Sequence, residues 1–499
     1  MSEPSGRALH ERFLRGLAIS PAGEAVRAGD RSITYEAAHE RALRWAGALT
    51  SAPAGPPGAV GILADKSVEA YVAVLAALYA GATAVPLHPK FPALRTRRML
   101  DDAQVGAVLA DGAGRAALAE TGLDLPVLDL AAPAAGPALD APLPAKPSDV
   151  AYMLFTSGST GRPKGVPITH GSTAHYFDLM DRRYDFGPED VFSQSVELNF
   201  DCAMFELFCP WGVGGSAHAV PARAYLDLPA FLAERRMTVW FSVPSGIGLV
   251  RRMGGLAPGS LPSLRWSFFA GEALLCSDAA AWQEAAPNSA VENLYGPTEL
   301  TITVTRHRWS ARSPGLAVNG VVPIGGLHPG HAMLLRADDG ASAETEGELC
   351  IAGEQMTAGY LNPEDDRGRF LERDGRLWYR TGDRVRLLPG GELAYLGRLD
   401  SQVQVQGWRV ELAEIDHAVR GFDGVQAAVT TTRPARDGLE LVVFYTGTRV
   451  PPAGLARRLR EVLPAGMIPK DFRHLAEFPL NSNGKVDRPL LAKWAEAQD

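Results

Sequence analysis

The chain has 499 residues, of which 46% are hydrophobic and 21% charged, and its formal net charge is −8. That length argues for more than one core, and the balance is that of a soluble globular protein. The acidic excess lacks the basic footprint of a nucleic-acid binder or the basic face of a membrane-surface protein, so neither partner is expected.

Met1 to Leu17 is mixed polar and charged with no apolar core, which argues against a secretory signal and for a cytoplasmic protein. Ser32-Ile-Thr-Tyr-Glu opens a helix, with Thr34 as its N-cap and apolar residues at helical spacing from Ala37 to Leu49. Ala70 to Leu87 is the longest apolar stretch. Its Ala/Val content, broken at Gly81 and Pro86, predicts a buried helix, a turn at Ala80-Gly81 and a short strand through Ala84-Val85. Ser51 to Gly58 and Ala131 to Lys146 are rich in Ala, Pro and Gly and read as surface loops. Short β-branched runs, such as Val60-Gly-Ile-Leu and Thr238-Val-Trp-Phe-Ser-Val, alternate with Ala/Leu-rich segments as far as Pro262. That alternation predicts an α/β fold with largely parallel sheets packed by helices. The cysteines, Cys202, Cys209, Cys276 and Cys350, have no metal-ligand or CxxC spacing and read as reduced, mostly buried thiols. From Gly347 short strands with Gly turns predict a small β-subdomain. Beyond Leu399-Asp400 the pattern is strand, helix from Glu411, two strands and a helix from Ala453. This divides the chain into a large domain, 1–398, and a small α+β domain, 399–499.

The segment richest in chemistry is Ala151 to Val166, AYMLFTSGSTGRPKGV: a strand, then four hydroxyls with interspersed glycines, then Lys164. Small residues let the backbone close around phosphates, while hydroxyls and N–H groups donate and the lysine neutralises charge. The spacing is not that of the common P-loop.

This segment resembles the phosphate loop of the adenylate-forming superfamily of acyl-CoA synthetases, luciferases and nonribosomal peptide synthetase adenylation domains. Further matches follow the family's order: Ala80-Gly-Ala-Thr-Ala-Val-Pro-Leu, Asn293-Leu-Tyr-Gly-Pro-Thr-Glu, Gly347-Glu-Leu-Cys-Ile-Ala-Gly with Gly359-Tyr-Leu, Tyr379-Arg-Thr-Gly-Asp, Gly397-Arg-Leu-Asp-Ser-Gln-Val through Gly407-Trp-Arg-Val-Glu-Leu, and Asn483-Gly-Lys-Val-Asp-Arg. The resemblance spans essentially the whole chain and implies that a carboxylate is joined to the α-phosphate of ATP with release of pyrophosphate. It places Thr156, Ser157, Gly158, Ser159, Thr160, Gly161 and Lys164 on the phosphates. It places Tyr295 on the adenine, Asn293 and Gly296 among the nucleotide-binding residues, Asp383 with Arg398 at the ribose, and Glu299 with Thr298 on Mg²⁺. Lys485 bridges the substrate carboxylate and the α-phosphate, so that Lys485, Glu299 and Lys164 are the catalytic residues. It further implies that the small domain rotates about Asp400 for attack by a thiol, with Gly407 lining the pantetheine tunnel.

Phe200-Asp201-Cys202-Ala203 resembles the segment in which amino-acid-activating members pair an Asp with the substrate ammonium. An N-cap on the helix from Ala203 to Phe208 is the plainer role for Asp201. By position relative to the motifs the rest of the pocket is Cys202, Phe205, Ser242, Phe268, Ala270, Gly271, Leu294, Ile302 and Thr303. That lining carries no second charge and implies a small to medium uncharged amino acid of the Ala, Ser, Thr or Pro class. No phosphopantetheine-bearing serine segment follows Arg488, so the expected acceptor is a separate phosphopantetheinylated carrier protein. An acyl- or aryl-CoA ligase and a catalytically silent nucleotide binder are the alternative readings.

Overall fold

The computed structural model describes residues 8–51, 55–134, 136–158, 161–400, 402–435, 438–480 and 486–497. Two large sheets dominate the α/β part. One has nine strands, in the order Gly326–Leu327, Thr305–Arg308, Ala290–Tyr295, Trp266–Phe269, Val239–Ser242, Val191–Gln194, Ser216–Ala219, Glu24–Ala28 and Arg31–Thr34. Its six central strands, Ala290–Tyr295 through Ser216–Ala219 and on to Glu24–Ala28, run parallel. The other has six strands, ordered Val127–Asp129, Ala107–Ala110, Ala59–Leu63, Thr83–Leu87, Val150–Thr156 and Lys164–Thr169, antiparallel only at the last pair.

The helix Val68–Tyr79 lies in the main core, and all its residues but Glu69 are buried. Ser67 caps it by accepting from Ala70 N, and its many alanines suit a helix packed on every side. Gly81, at φ +68°, turns the chain into the strand Thr83–Leu87. The helix, turn and strand expected over Ala70 to Leu87 are thus present. Thr34 caps the helix Tyr35–Thr50, as its sequence predicts. Among the described residues no helix is long and apolar enough to cross a membrane.

An antiparallel sheet follows, built on Glu346–Gly353 and Arg376–Leu387, with Leu393–Arg398 paired to the latter. Past residue 402 the hairpin Gln402–Val405/Trp408–Glu411, the helices Leu412–Arg420 and Pro452–Arg460 and a three-stranded sheet enclose a separate core. A buried ion pair, Arg95–Glu414 at 2.6 Å, ties the helix Ala93–Asp102 to this unit.

Two buried histidines give the fold a dependence on acid. Burial, with His170 close by, pushes His10 down to about 4, and burial likewise lowers His170 to about 4. The Nδ1 of His170 accepts from Leu9 N at 2.9 Å, which requires that nitrogen to be unprotonated. Both rings are depressed from an unfolded value near 6.5, so the unfolded chain takes up protons first. Stability is full above pH 6.5 and falls as pH drops toward 4, by on the order of 3–6 kcal/mol for the pair. Thermal melts over that range are expected to fall steeply for the wild type and roughly half as steeply for His10→Phe.

Candidate functional site

The site forms where the parallel strands of both sheets end, the usual place for a ligand in an open α/β sheet. The strand Val150–Thr156 delivers the phosphate loop, and Thr156 pairs with Lys164 in the returning strand. Gly158 is obligatory here: a Cβ would stand 2.1 Å from the Arg162 carbonyl oxygen. Gly161 has φ +77°. Lys164 is buried, with Nζ 3.7 Å from Asp365 and 5.3 Å from the centre of the Tyr360 ring. Ser159, Thr160 and Lys485 lie outside the described residues.

The strand Ala290–Tyr295 delivers Asn293 and Tyr295, the residues expected beside the nucleotide. Tyr295 donates to Asp383 at 2.6 Å, and Arg398 holds the other Asp383 oxygen at 3.0 Å. Arg398 also grips Asp400 through two bonds of 2.8 and 2.9 Å. Asn293, expected beside the nucleotide, is buried and spends its amide N–H on the carbonyls of Pro323 and Val322. Its contribution is to fix that loop. Gly296 is closed in by the turn that follows, because a Cβ would lie 2.6 Å from Thr303 Cα.

Glu299 sits on the 3₁₀ turn Thr298–Leu300 with no exposed surface. One carboxylate oxygen accepts from Tyr360 Oη at 2.6 Å and the other from Arg409 Nη1 at 2.7 Å. Burial would raise its pKa, but Arg409 and the Tyr360 hydroxyl outweigh that and hold it at about 2. An ionised carboxylate is the donor Mg²⁺ requires. Among the described residues no group of three or more His, Cys, Asp or Glu is placed to hold a metal. One carboxylate plus substrate oxygens is the common way to bind Mg²⁺, and Glu299 with Thr298 beside it fits that description.

The residues expected to bind the acid surround Asp201. This residue precedes the helix Cys202–Val213 but does not cap it with its side chain. It is buried, and Oδ2 has no hydrogen-bond partner. Burial pushes its carboxyl up to about 6, against bonds from Cys202 and Thr298. A buried carboxylate with a free oxygen is costly until a cation arrives. Asp201 occupies the N-cap position, but no side-chain capping bond accounts for its carboxylate.

Phe205 and Phe268 lie 5.3 Å apart with no more than 1% exposure, and Ala270, Leu294, Ile302 and Thr303 are buried with them. Thr303 Oγ1 is 3.3 Å from Tyr176 Oη. Cys202 stands at the first turn of the helix, and Gly271, at φ +86°, turns the chain after Ala270. Ser242 does not join them. Its Oγ accepts from Trp240 Nε1 at 3.0 Å, and it pairs in register with Phe269, on the face that packs into a second core. Residue 241 faces the other way: Phe241 pairs with Phe268 and lies 5.1 Å from Phe205. Phe241, not Ser242, shares the face of Phe205 and Phe268 at this level.

The hairpin Gln402–Glu411 closes the site. Gly407 N donates to Glu272 at 2.6 Å, and at φ +81° a Cβ would press on Val243 at 3.2 Å. Trp408 meets Phe200 and Phe91 edge-on, with centroids 5.3 and 6.2 Å away. Ser157 Oγ donates to the Arg409 carbonyl at 2.7 Å and accepts from Glu411 N at 3.2 Å. Asp400 lies at the root of the hairpin, and Arg369 reaches it at 3.2 Å. Sequence reasoning overlooked Arg409, Tyr360 and Phe241. Arg409 lies inside the matched Gly407-to-Leu412 segment, which was its one signal.

Residues 15–361 match the family model described as AMP-binding enzyme, and the chain belongs to that family of adenylate-forming ligases, which use ATP with Mg²⁺. Tyrocidine synthase 3 of Brevibacillus parabrevis is 33% identical over 504 residues, 98% of this chain and 8% of that protein. The chain spans between 8% and 42% of the length of the first curated relatives it matches. Among solved structures, IdnL7 is 53% identical, with a TM-score of 0.77 and coverage of 98% of this chain and 99% of that one. The Vibrio cholerae adenylation domain AlmE, solved in complex with glycyl-adenosine-5'-phosphate, is 27% identical with a TM-score of 0.85, covering 99% and 98%. The homologues include nonribosomal peptide synthetase adenylation domains, which act on small molecules and carrier-protein domains.

Proposed function

We propose that the protein converts a small, uncharged α-amino acid to its aminoacyl-adenylate and passes the acyl group to the phosphopantetheine thiol of a separate carrier protein in the cytoplasm. The observation that carries the amino-acid part is Asp201: a buried carboxylate with one free oxygen, beside the nucleotide half of the site. An ammonium is the partner it lacks. Phe205, Phe241 and Phe268 take up the volume beyond it and leave no second charge for an acidic or basic side chain. The glycyl ligand of AlmE agrees with a small substrate.

The substrate carboxylate is already ionised at neutral pH, so no general base is required. What the chain supplies is placement and charge. Asp201 fixes the ammonium, and Tyr295, Asp383 and Arg398 hold the nucleoside. Thr156 to Gly161 and Lys164 hold the phosphates, and Lys485 from the small domain bridges the reacting carboxylate and the α-phosphate. Glu299 with Thr298 would hold Mg²⁺, which when bound would supply positive charge against the phosphates. In this reading residues 1–398 and 399–499 are the two lobes, and Asp400 is the hinge for the second half-reaction, in which the thiol enters past Gly407. The contact of Gly407 with Glu272 and Val243 agrees with a place on that route.

The test is amino-acid-dependent ATP–pyrophosphate exchange with a panel that includes des-amino analogues. L-Alanine, L-serine, L-threonine or L-proline is expected to give the strongest signal and the des-amino acids almost none. Strong exchange with propionate, or with an aryl acid, removes the amino-acid assignment and favours a CoA ligase.

A further inference from the structure

The turn joining the nucleotide half of the site to the acid pocket is strained. Thr301 and Ile302 are consecutive, both branched at Cβ, and both have positive φ, +57° and +69°. That region is costly for such side chains, and it persists only where the surroundings enforce it.

Gln355 is the enforcing group. It is fully buried, and its Nε2 lies 3.0, 3.1 and 2.9 Å from the carbonyl oxygens of Leu300, Thr301 and Thr303. A side-chain amide has two protons, so three carbonyls of a single turn share them. The backbone carbonyl of Gln355 accepts in return from Thr301 Oγ1 at 2.6 Å. On the opposite side Gly296 leaves no room for the turn to retreat, since its absent Cβ would meet Ile302 O at 2.8 Å. Thr357 N holds the Glu299 carbonyl at 2.9 Å and anchors the front of the turn.

We infer that Gln355 is a positioning residue for substrate selection: its amide holds Ile302 in the left-handed conformation and so sets the wall of the amino-acid pocket without touching the substrate. The inference rests on the functional reading above, in which Ile302 and Thr303 line that pocket. With the three carbonyls released, the turn relaxes toward negative φ and the Ile302 side chain swings. Asp383 and Lys164 stand on other elements and keep their places, and Tyr295 is kept in its strand by pairing with Thr305 and by its bond to Asp383.

Gln355→Met keeps the volume and removes both N–H donors. In exchange assays with L-alanine and L-serine as probes, the amino-acid KM is expected to rise about tenfold or more, because a small displacement of a pocket wall is enough for that. The ATP KM is expected to stay within about twofold. Thr301→Gly, which takes φ +57° without strain, is expected to bring the amino-acid KM of Gln355→Met back to within about threefold of the wild type. If Gln355→Met does not fold, Gln355→Glu is read in the same way. Equal rises in both KM values, no rise in either, or no rescue by Thr301→Gly overturns the inference with an active wild type. A wild type silent with every amino acid overturns the functional reading and this inference with it.

Discussion

Asp201→Asn is expected to lower amino-acid-dependent exchange by roughly a hundredfold or more, while nucleotide binding survives and the empty protein grows more stable. The first effect follows from the partner that is lost. Truncating one member of a buried, hydrogen-bonded charge pair costs about 2–5 kcal/mol, which spans about thirtyfold to several thousandfold. The second follows from the partners of the nucleotide groups: Tyr295 is held by Asp383, and Lys164 lies beside Asp365 and Tyr360, so Asp201, whose one link to that side is Thr298, positions neither. The third follows from the sign of the pKa shift. The folded carboxyl is raised from 3.8 to about 6, so the folded state binds the proton more tightly than the unfolded one. Stability from this group is full below about pH 4 and is lost as pH rises through about 6, after which the loss is constant at about 3 kcal/mol. Asparagine carries no such penalty. Melts at pH 8 without substrate are expected to place Asp201→Asn above the wild type, and added L-alanine is expected to raise the wild type alone. A variant that melts lower than the wild type when empty, yet keeps full exchange, would show that Asp201 is a structural residue.

Much of this site was legible because its chemistry is contiguous. The candidate phosphate loop, the Tyr295-to-Glu299 turn and the Asp201 segment each put several candidate residues in one short run. The alternation of β-branched runs with Ala-rich helices likewise gave parallel sheets and the buried helix Val68–Tyr79. Strand order was not legible: the hairpin Glu24–Thr34 joins the nine-stranded sheet beside Ser216–Ala219, a pairing across about 190 residues that no local pattern encodes. Ser242 shows how anchoring by motif fails inside a strand. A count from Pro244 that is wrong by one residue turns every side chain to the opposite face. The strand's own alternation held the answer, since Trp240 and Ser242 point into one core and Val239 and Phe241 into the other. Arg409 was missed for a different reason. It meets Glu299 across 110 residues of sequence, and only the seating of the hairpin against the large sheets brings the two together.

That seating has a consequence for Mg²⁺. Both oxygens of Glu299 are engaged, one by Arg409, and the Ser157 hydroxyl expected on a phosphate is bonded to the hairpin backbone. A divalent cation about 4 Å from a guanidinium would be repelled by about 8 kcal/mol at an effective dielectric constant near 20, which offsets much of what one carboxylate contact returns. On the proposed reading Arg409 and Mg²⁺ compete as counter-ions of Glu299, because both of its oxygens are engaged while the hairpin is docked, and the hairpin has to withdraw to admit the metal. Removing each partner then has opposite effects on the first half-reaction. Glu299→Gln keeps the shape, loses the charge, and is expected to lower exchange by two orders of magnitude or more. Arg409→Gln removes the competitor, so the Mg²⁺ concentration giving half-maximal exchange is expected to fall while acyl transfer to a carrier thiol slows. Titration of exchange with Mg²⁺ for the wild type and both variants decides the matter: if Arg409→Gln needs as much metal as the wild type, the two cations do not compete, and the docked hairpin has some other purpose.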